Sequence, residues 1–283
     1  MIWLSAFSDE AGQSLEEQIA ALERNGVAYT ELRTVNGTNV KKLTESEAEE
    51  IEAQLAAHGL RVWALGSPLG KSEITMPKEE VLEEVRHLCR LCKVFGTDKI
   101  RMFSFFHAYE EKERVIEMLR AMVKEAETFG VTLCHENEKH IYGDVTERVV
   151  EILDAVPALG SVYDPANFLQ VGELPEKTLP ALHARSTYFH IKDVIVETGE
   201  LVPAGYGDGA IDKLIEMIDR DTVLTVEPHL AIFKGYAEID GEVMKNKFQF
   251  KSNGEAFDAA IRAIKECLAA AGYVEEQGAF VKH

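Results

Sequence analysis

Residues 161–172, SVYDPANFLQVG, carry the most informative junction in the chain. An apolar run climbs to Tyr163 and breaks into Asp164, a proline and an asparagine where a strand would end, leaving a carboxylate at its tip. On both sides of this junction the pattern repeats: a short apolar, β-rich piece, then a stretch with helical spacing. Strands are expected at 2–6, 29–32, 61–66, 99–105, 131–136, 160–164, 187–192 and 222–227. Helices are expected at 14–26, 44–58, 77–95, 110–129, 145–156, 175–184, 210–218 and 255–272. Ser14 caps the first of these and Gly26 stands past its stop; TESE at 44–47 reads as a capping box, and Pro77 opens the third helix.

Regular alternation of strand and helix implies a parallel sheet, and eight copies imply a closed (β/α)8 barrel. The chain holds no Pro-, Gly- or Ser-rich linker and no break in composition, so residues 1–283 read as one domain. The rival is an open doubly wound sheet, which usually shows a glycine-rich first βα turn. Here that turn is FSDEAGQS (7–14), with a single glycine. One loop, at 228–253 after the eighth strand, is long for its type; IDGE and NKFQFK within it suggest a hairpin at the barrel mouth, as a lid or a dimer contact.

Apolar residues make up 46% of the chain, enough for a large core. With 30 basic against 49 acidic residues the net charge is −19, which argues against a nucleic-acid partner and against a highly phosphorylated substrate. No apolar run is long enough to span a membrane. Four cysteines and no secretory leader suggest reduced thiols and a cytoplasmic location. Cys89 and Cys92 fall in a helical pattern with Val85 and Leu88 and read as core, with no second CxxC to complete a metal site.

In a barrel of this kind the chemistry sits at the C-terminal ends of the strands. From the fifth strand onward these ends read Glu136, Asp164, His190 and Glu227, one potential metal ligand per unit on strands that are neighbours around the ring. Three carboxylates and one imidazole make a hard donor set suited to Mn²⁺, Mg²⁺ or Co²⁺ with positions left open for substrate; zinc is a further candidate that more often brings a second histidine or a cysteine. Each carboxylate taken singly could instead cap a helix or stay solvated.

The motifs LCHENE (133–138), YDPANF (163–168), YFHIKD (188–193) and TVEPHL (225–230) resemble the xylose-isomerase-like TIM-barrel superfamily along nearly the whole chain. That resemblance places Glu136, Asp164, His190 and Glu227 on the family's metal-ligand positions. It implies one divalent ion per chain, manganese first, with Mg, Co or Zn as alternatives. It also casts Glu136 and Glu227 as the acid/base pair of a sugar isomerase or epimerase, one removing a proton beside a ketose carbonyl and the other returning it. A metal-dependent lyase or dehydratase acting on a keto-sugar or keto-cyclitol is the alternative, and a non-catalytic sugar-binding barrel the third reading. The DNA-repair branch of the superfamily requires more histidines than this chain supplies: Asn167 stands where that branch, and many ketose epimerases, carry one.

Further candidates surround these motifs. Arg33 in ELRT, Lys71 in SPLGK, Asn167, Lys192 and His229 are expected to contact a small carbohydrate substrate. Arg33 and Lys71 could equally be solvated loop cations, and Lys192 could pair with a carboxylate. Glu138 shares parity with Glu136 and competes with it as the ligand. AGYGDG (204–209) reads as a turn, with phosphate binding the weaker alternative. A homodimer is the default assembly.

Overall fold

A computed structural model of the chain describes residues 1–230 and 250–283. Most of the loop expected at 228–253 therefore lies outside the described residues. Among those described, eight parallel strands form the barrel: β1 (Ile2–Ala6), β2 (Tyr29–Leu32), β3 (Arg61–Gly66), β4 (Lys99–Met102), β5 (Thr132–Glu136), β6 (Gly160–Tyr163), β7 (Tyr188–Ile191) and β8 (Thr222–Val226). Closure is made by β1 against β8, in register from Ile2 opposite Thr222 to Ala6 opposite Val226, so no barrel strand is left with an open edge.

The helices follow as expected, with their ends set by local chemistry. They are α1 (Leu15–Asn25), α2 (Glu45–Ala57), α3 (Lys78–Phe95), α4 (Lys112–Glu127), α5 (Thr146–Ala155), α6 (Pro165–Gln170), α7 (Pro175–Leu182), α8 (Ile211–Glu216) and α9 (Asn253–Ala270). Ser14 with Glu17, and Thr44 with Glu47, form reciprocal capping boxes at α1 and α2. Along α3, Val81, Val85, Leu88, Cys89, Cys92 and Phe95 face inward, so both cysteines pack in the core as the helical period requires. Burial pushes the Cys89 thiol up to about 12. Among the described residues no helix is long and apolar enough to cross a membrane.

Three departures from expectation have local causes. The single weak helix expected at 175–184 is preceded by α6, which starts on Pro165 directly after Asp164; a proline at the first helical position loses no hydrogen bond. Strand β4 stops at Met102, three residues early, as the chain leaves the sheet for a loop through Phe105, a non-glycine residue at φ 70°. Two small ribbons, Thr34–Val35 with Thr38–Asn39 and the C-terminal pair β9 (Val274–Glu276) and β10 (Ala279–Val281), turn on Asn36–Gly37 and Gln277–Gly278. All four turn residues have positive φ, the geometry of a two-residue hairpin. Strand β10 pairs antiparallel with Ile2 and Trp3, beside the half of β1 that β2 does not reach.

The bore of the barrel is filled. Ala64, Cys134, Val162, Tyr188 and Val223 form an apolar cluster with Trp3 and Trp63, separate from the larger core. Trp63 meets Tyr188 edge-on at 6.0 Å and Tyr29 at 6.4 Å. Side chains alternate along a strand, so two residues above this floor the same inward face presents Glu136, Asp164 and His190. The polar site rests on an apolar plug.

Candidate metal centre

Glu136 ends β5, Asp164 follows β6, His190 lies within β7 and Glu227 follows β8. One ligand atom from each lies within 4.8 Å of all the others, and none of the four is more than 2% exposed. His190 Nδ1 faces the group, 3.1 Å from Glu136 Oε1 and 3.3 Å from Glu227 Oε2. Thus the structure brings together all four residues singled out as ligands. Glu138, the rival to Glu136, points elsewhere, 3.2 Å from Lys71 Nζ.

Asp164 answers both readings of a strand-end carboxylate. Its Oδ1 accepts a hydrogen bond from the Asn167 amide at 2.9 Å and caps α6. Its Oδ2 is buried and accepts no hydrogen bond of good geometry among the described residues, although the Lys192 ammonium lies 3.0 Å away. A buried carboxylate oxygen short of donors, among two more carboxylates and an imidazole nitrogen, suits a hard divalent cation. The donor set therefore fits such an ion.

Around these four lies a shell of paired charge. Arg101, in β4, donates to Glu136 Oε2 at 2.9 Å and to the Gly66 carbonyl at 2.9 Å. Arg33 donates to Glu227 Oε1 at 2.9 Å and grips Asp9 with two bonds of 2.9 and 3.0 Å. Far from a solvated cation, Arg33 is among the largest fully buried side chains. Lys192 sits between Asp164 and Glu227, at 3.0 and 3.5 Å. Asn167 donates to Glu136 Oε1 at 3.2 Å, and Asn137 bonds both the backbone N–H and the carbonyl of Asp164. Lys71, in the loop after β3, lies over the Phe103 ring. The His229 amide donates to Glu10, and its ring is 3.5 Å from Glu227. Glu10, Glu227 and His229 form a second converging group, but the Arg33 guanidinium already lies against both of its carboxylates.

Electrostatics sort the carboxylates into two kinds. Burial works against charge at all of them. At Glu136, His190 and Arg101 override it and hold the group down at about 2. Burial is likewise overridden at Glu227, by Lys192, His190 and His229, which keep it well below the usual carboxylate range. At Asp164 burial wins over Lys192, and the group rises to about 7; at Glu10 it wins over Arg33, to about 8. The basic neighbours of Glu136 and Glu227 thus favour their charged forms.

The glycine-rich turn has an internal ligand. Backbone N–H groups of Val194, Gly205, Gly207 and Gly209 all donate to the Asp193 carboxylate at 2.8–3.0 Å. A Cβ on Gly207 would lie 2.3 Å from Asp193 Oδ1 and 2.6 Å from the Val194 carbonyl oxygen. The turn holds the chain's own carboxylate, next to Lys192, rather than presenting its amides to a phosphate.

Glu31, Arg101, Asp9, Glu10 and Asn137 join the site without standing out as candidates in the sequence. Two signals were available: a lone arginine at inward parity in KIRMFSF, and adjacent acids at the end of the first strand in FSDEAG. Glu31 was hidden behind its neighbour Arg33.

Residues 19–267 match the family described as xylose isomerase-like TIM barrel, and the chain belongs to that family. Solved structures similar to it include an L-ribulose 3-epimerase (15% identity, 96% of each chain covered, TM-score 0.73). The IolI protein with a binding zinc atom shares 19% identity over 95% of this chain and 99% of that one, with TM-score 0.72. The probable 3-DHS dehydratase AsbF from Bacillus anthracis shares 17% identity over 94% of this chain and 99% of that one, with TM-score 0.70. At these identities the likeness establishes the fold. No curated protein matches the chain by sequence.

Proposed function

We propose that this barrel is a divalent-metal-dependent isomerase or epimerase of a small carbohydrate, held by Glu136, Asp164, His190 and Glu227 to one ion, Mn²⁺ first and Mg²⁺, Co²⁺ or Zn²⁺ otherwise. The observation that carries the reading is the convergence of these four buried ligand atoms within 4.8 Å at the catalytic end of the barrel. A bound divalent ion would polarise the carbonyl and adjacent hydroxyl of a ketose and stabilise the enediolate left by proton removal.

The protein's own residues do the rest. Glu136 and Glu227 both lie against His190 Nδ1, at 3.1 and 3.3 Å; the ionised one can take the carbon-bound proton, and the other, which must enter the cycle protonated, can deliver a proton from its own side. Arg101 and Asn167 fix Glu136, and Arg33 fixes Glu227, so neither carboxylate must reorganise during transfer. Lys192 stands between Asp164 and Glu227, where its ammonium can donate to a substrate hydroxyl; His229 and Lys71 line the rim. Return to the opposite face of the same carbon gives epimerisation, and return to the neighbouring carbon gives isomerisation. The kinship in fold with a probable dehydratase keeps one further outcome in view, loss of water after the same proton removal.

The test is incubation of the Mn²⁺-loaded protein with a panel of ketoses in D₂O. Deuterium entering carbon beside the carbonyl is the expected result. Loss of water without deuterium retention would select the dehydratase reading, and no exchange with any ketose would overturn the assignment.

A further inference from the structure

We infer that Glu31 is a positioning residue that fixes the imidazole of His190 for metal ligation, an inference that rests on the metal-dependent reading above. Glu31 lies inside β2, is 1% exposed, and has no exposed loop to explain its charge. Its Oε2 is 3.1 Å from His190 Nε2, and its Oε1 accepts a hydrogen bond from the Tyr188 hydroxyl at 3.0 Å. The imidazole therefore has its two nitrogens assigned. Nδ1 faces Glu136 and Glu227, while Nε2 faces a carboxylate able to take its proton as a hydrogen bond.

A histidine ligand commonly donates its far N–H to a carboxylate, which sets the tautomer and makes the near nitrogen a better donor to the ion. Here that carboxylate is rooted in the floor of the barrel, because Tyr188 packs edge-on against Trp63. Phe7 closes the remaining side of the ring, edge-on at 5.2 Å. Strands β2 and β7 are not neighbours, so the contact braces the ligand across the bore. Stability alone gives no reason for it: a buried carboxylate–imidazole pair of this kind is often no better than apolar packing.

The experiment compares wild type, Glu31→Gln and Tyr188→Phe. Mn²⁺ affinity is read by electron paramagnetic resonance, the ligand field by the visible absorption of the Co²⁺-loaded protein, and folding by circular dichroism without metal. Glu31→Gln is expected to weaken Mn²⁺ binding about 10–100-fold and to shift the Co²⁺ bands, with Tyr188→Phe moving both in the same direction by less. Unchanged affinity and an unchanged Co²⁺ spectrum in a folded Glu31→Gln would overturn the inference while leaving the metal reading intact. Should Glu31→Gln fail to fold, Tyr188→Phe decides in the same way. A wild type that binds no Mn²⁺ would remove the metal reading itself, and this inference with it.

Discussion

The two halves of the barrel mouth do different work. Strands β5 to β8 supply the converging donors Glu136, Asp164, His190 and Glu227. Strands β1 to β4 and their loops supply the groups that hold them: Asp9, Glu10, Glu31, Arg33 and Arg101. The donors come from one half, and long-range bracing reaches them from the other, in addition to the local support of Lys192, Asn167 and Asn137. Neither makes sense alone, because a buried carboxylate without a countercharge protonates, and a buried guanidinium without a carboxylate is among the costliest groups a core can hold.

The division predicts that the halves fail differently when altered. The largest effect belongs to the proposed acid/base pair: Glu136→Gln and Glu227→Gln, measured in protein that circular dichroism shows to be folded, should each lower kcat by about 10²–10⁴-fold, as steady-state kinetics on the ketose identified by deuterium exchange will show. On the opposite half, Arg101→Met should act first on stability, costing about 3–5 kcal/mol in urea unfolding, because Glu136 is left buried without its guanidinium. If Arg101→Met left stability unchanged, the distinction between the halves would fail.

A smaller loss sharpens the picture within the ligand half. Gly207→Ala would drive a Cβ into the carboxylate of Asp193 and should destabilise the protein by about 1–3 kcal/mol, read as a lowered melting temperature. Smallest is the rim. Lys71→Met should raise KM by no more than about tenfold with kcat unchanged, the signature of a group that binds ground and transition states alike. A large fall in kcat instead would move Lys71 into the chemistry.

How much of this was legible follows the same division. The barrel was readable because each βα unit carries its own local signals: apolar strands, capping boxes at Ser14 and Thr44, and glycine past the helix end at Gly26. The four candidate ligands stand out in the sequence because each interrupts or ends an apolar strand with a polar residue. Their supports do not, because each is defined by a distant partner. Glu31 meets His190 across 159 residues of sequence, and Arg33 meets Glu227 across 194. No local pattern says that a charged residue in an early strand will be buried against another at the far end of the chain. Arg33 is the example: as a strand-end cation it reads as a substrate contact or a solvated charge, and its burial between carboxylates overturns the solvated alternative.

The most direct test of the central claim is metal content. Elemental analysis of purified wild type, Asp164→Ala and His190→Ala after exposure to Mn²⁺ is predicted to give about one ion per wild-type chain, with both folded variants depleted. A wild type that takes up no divalent ion, or variants that keep theirs, would contradict the account.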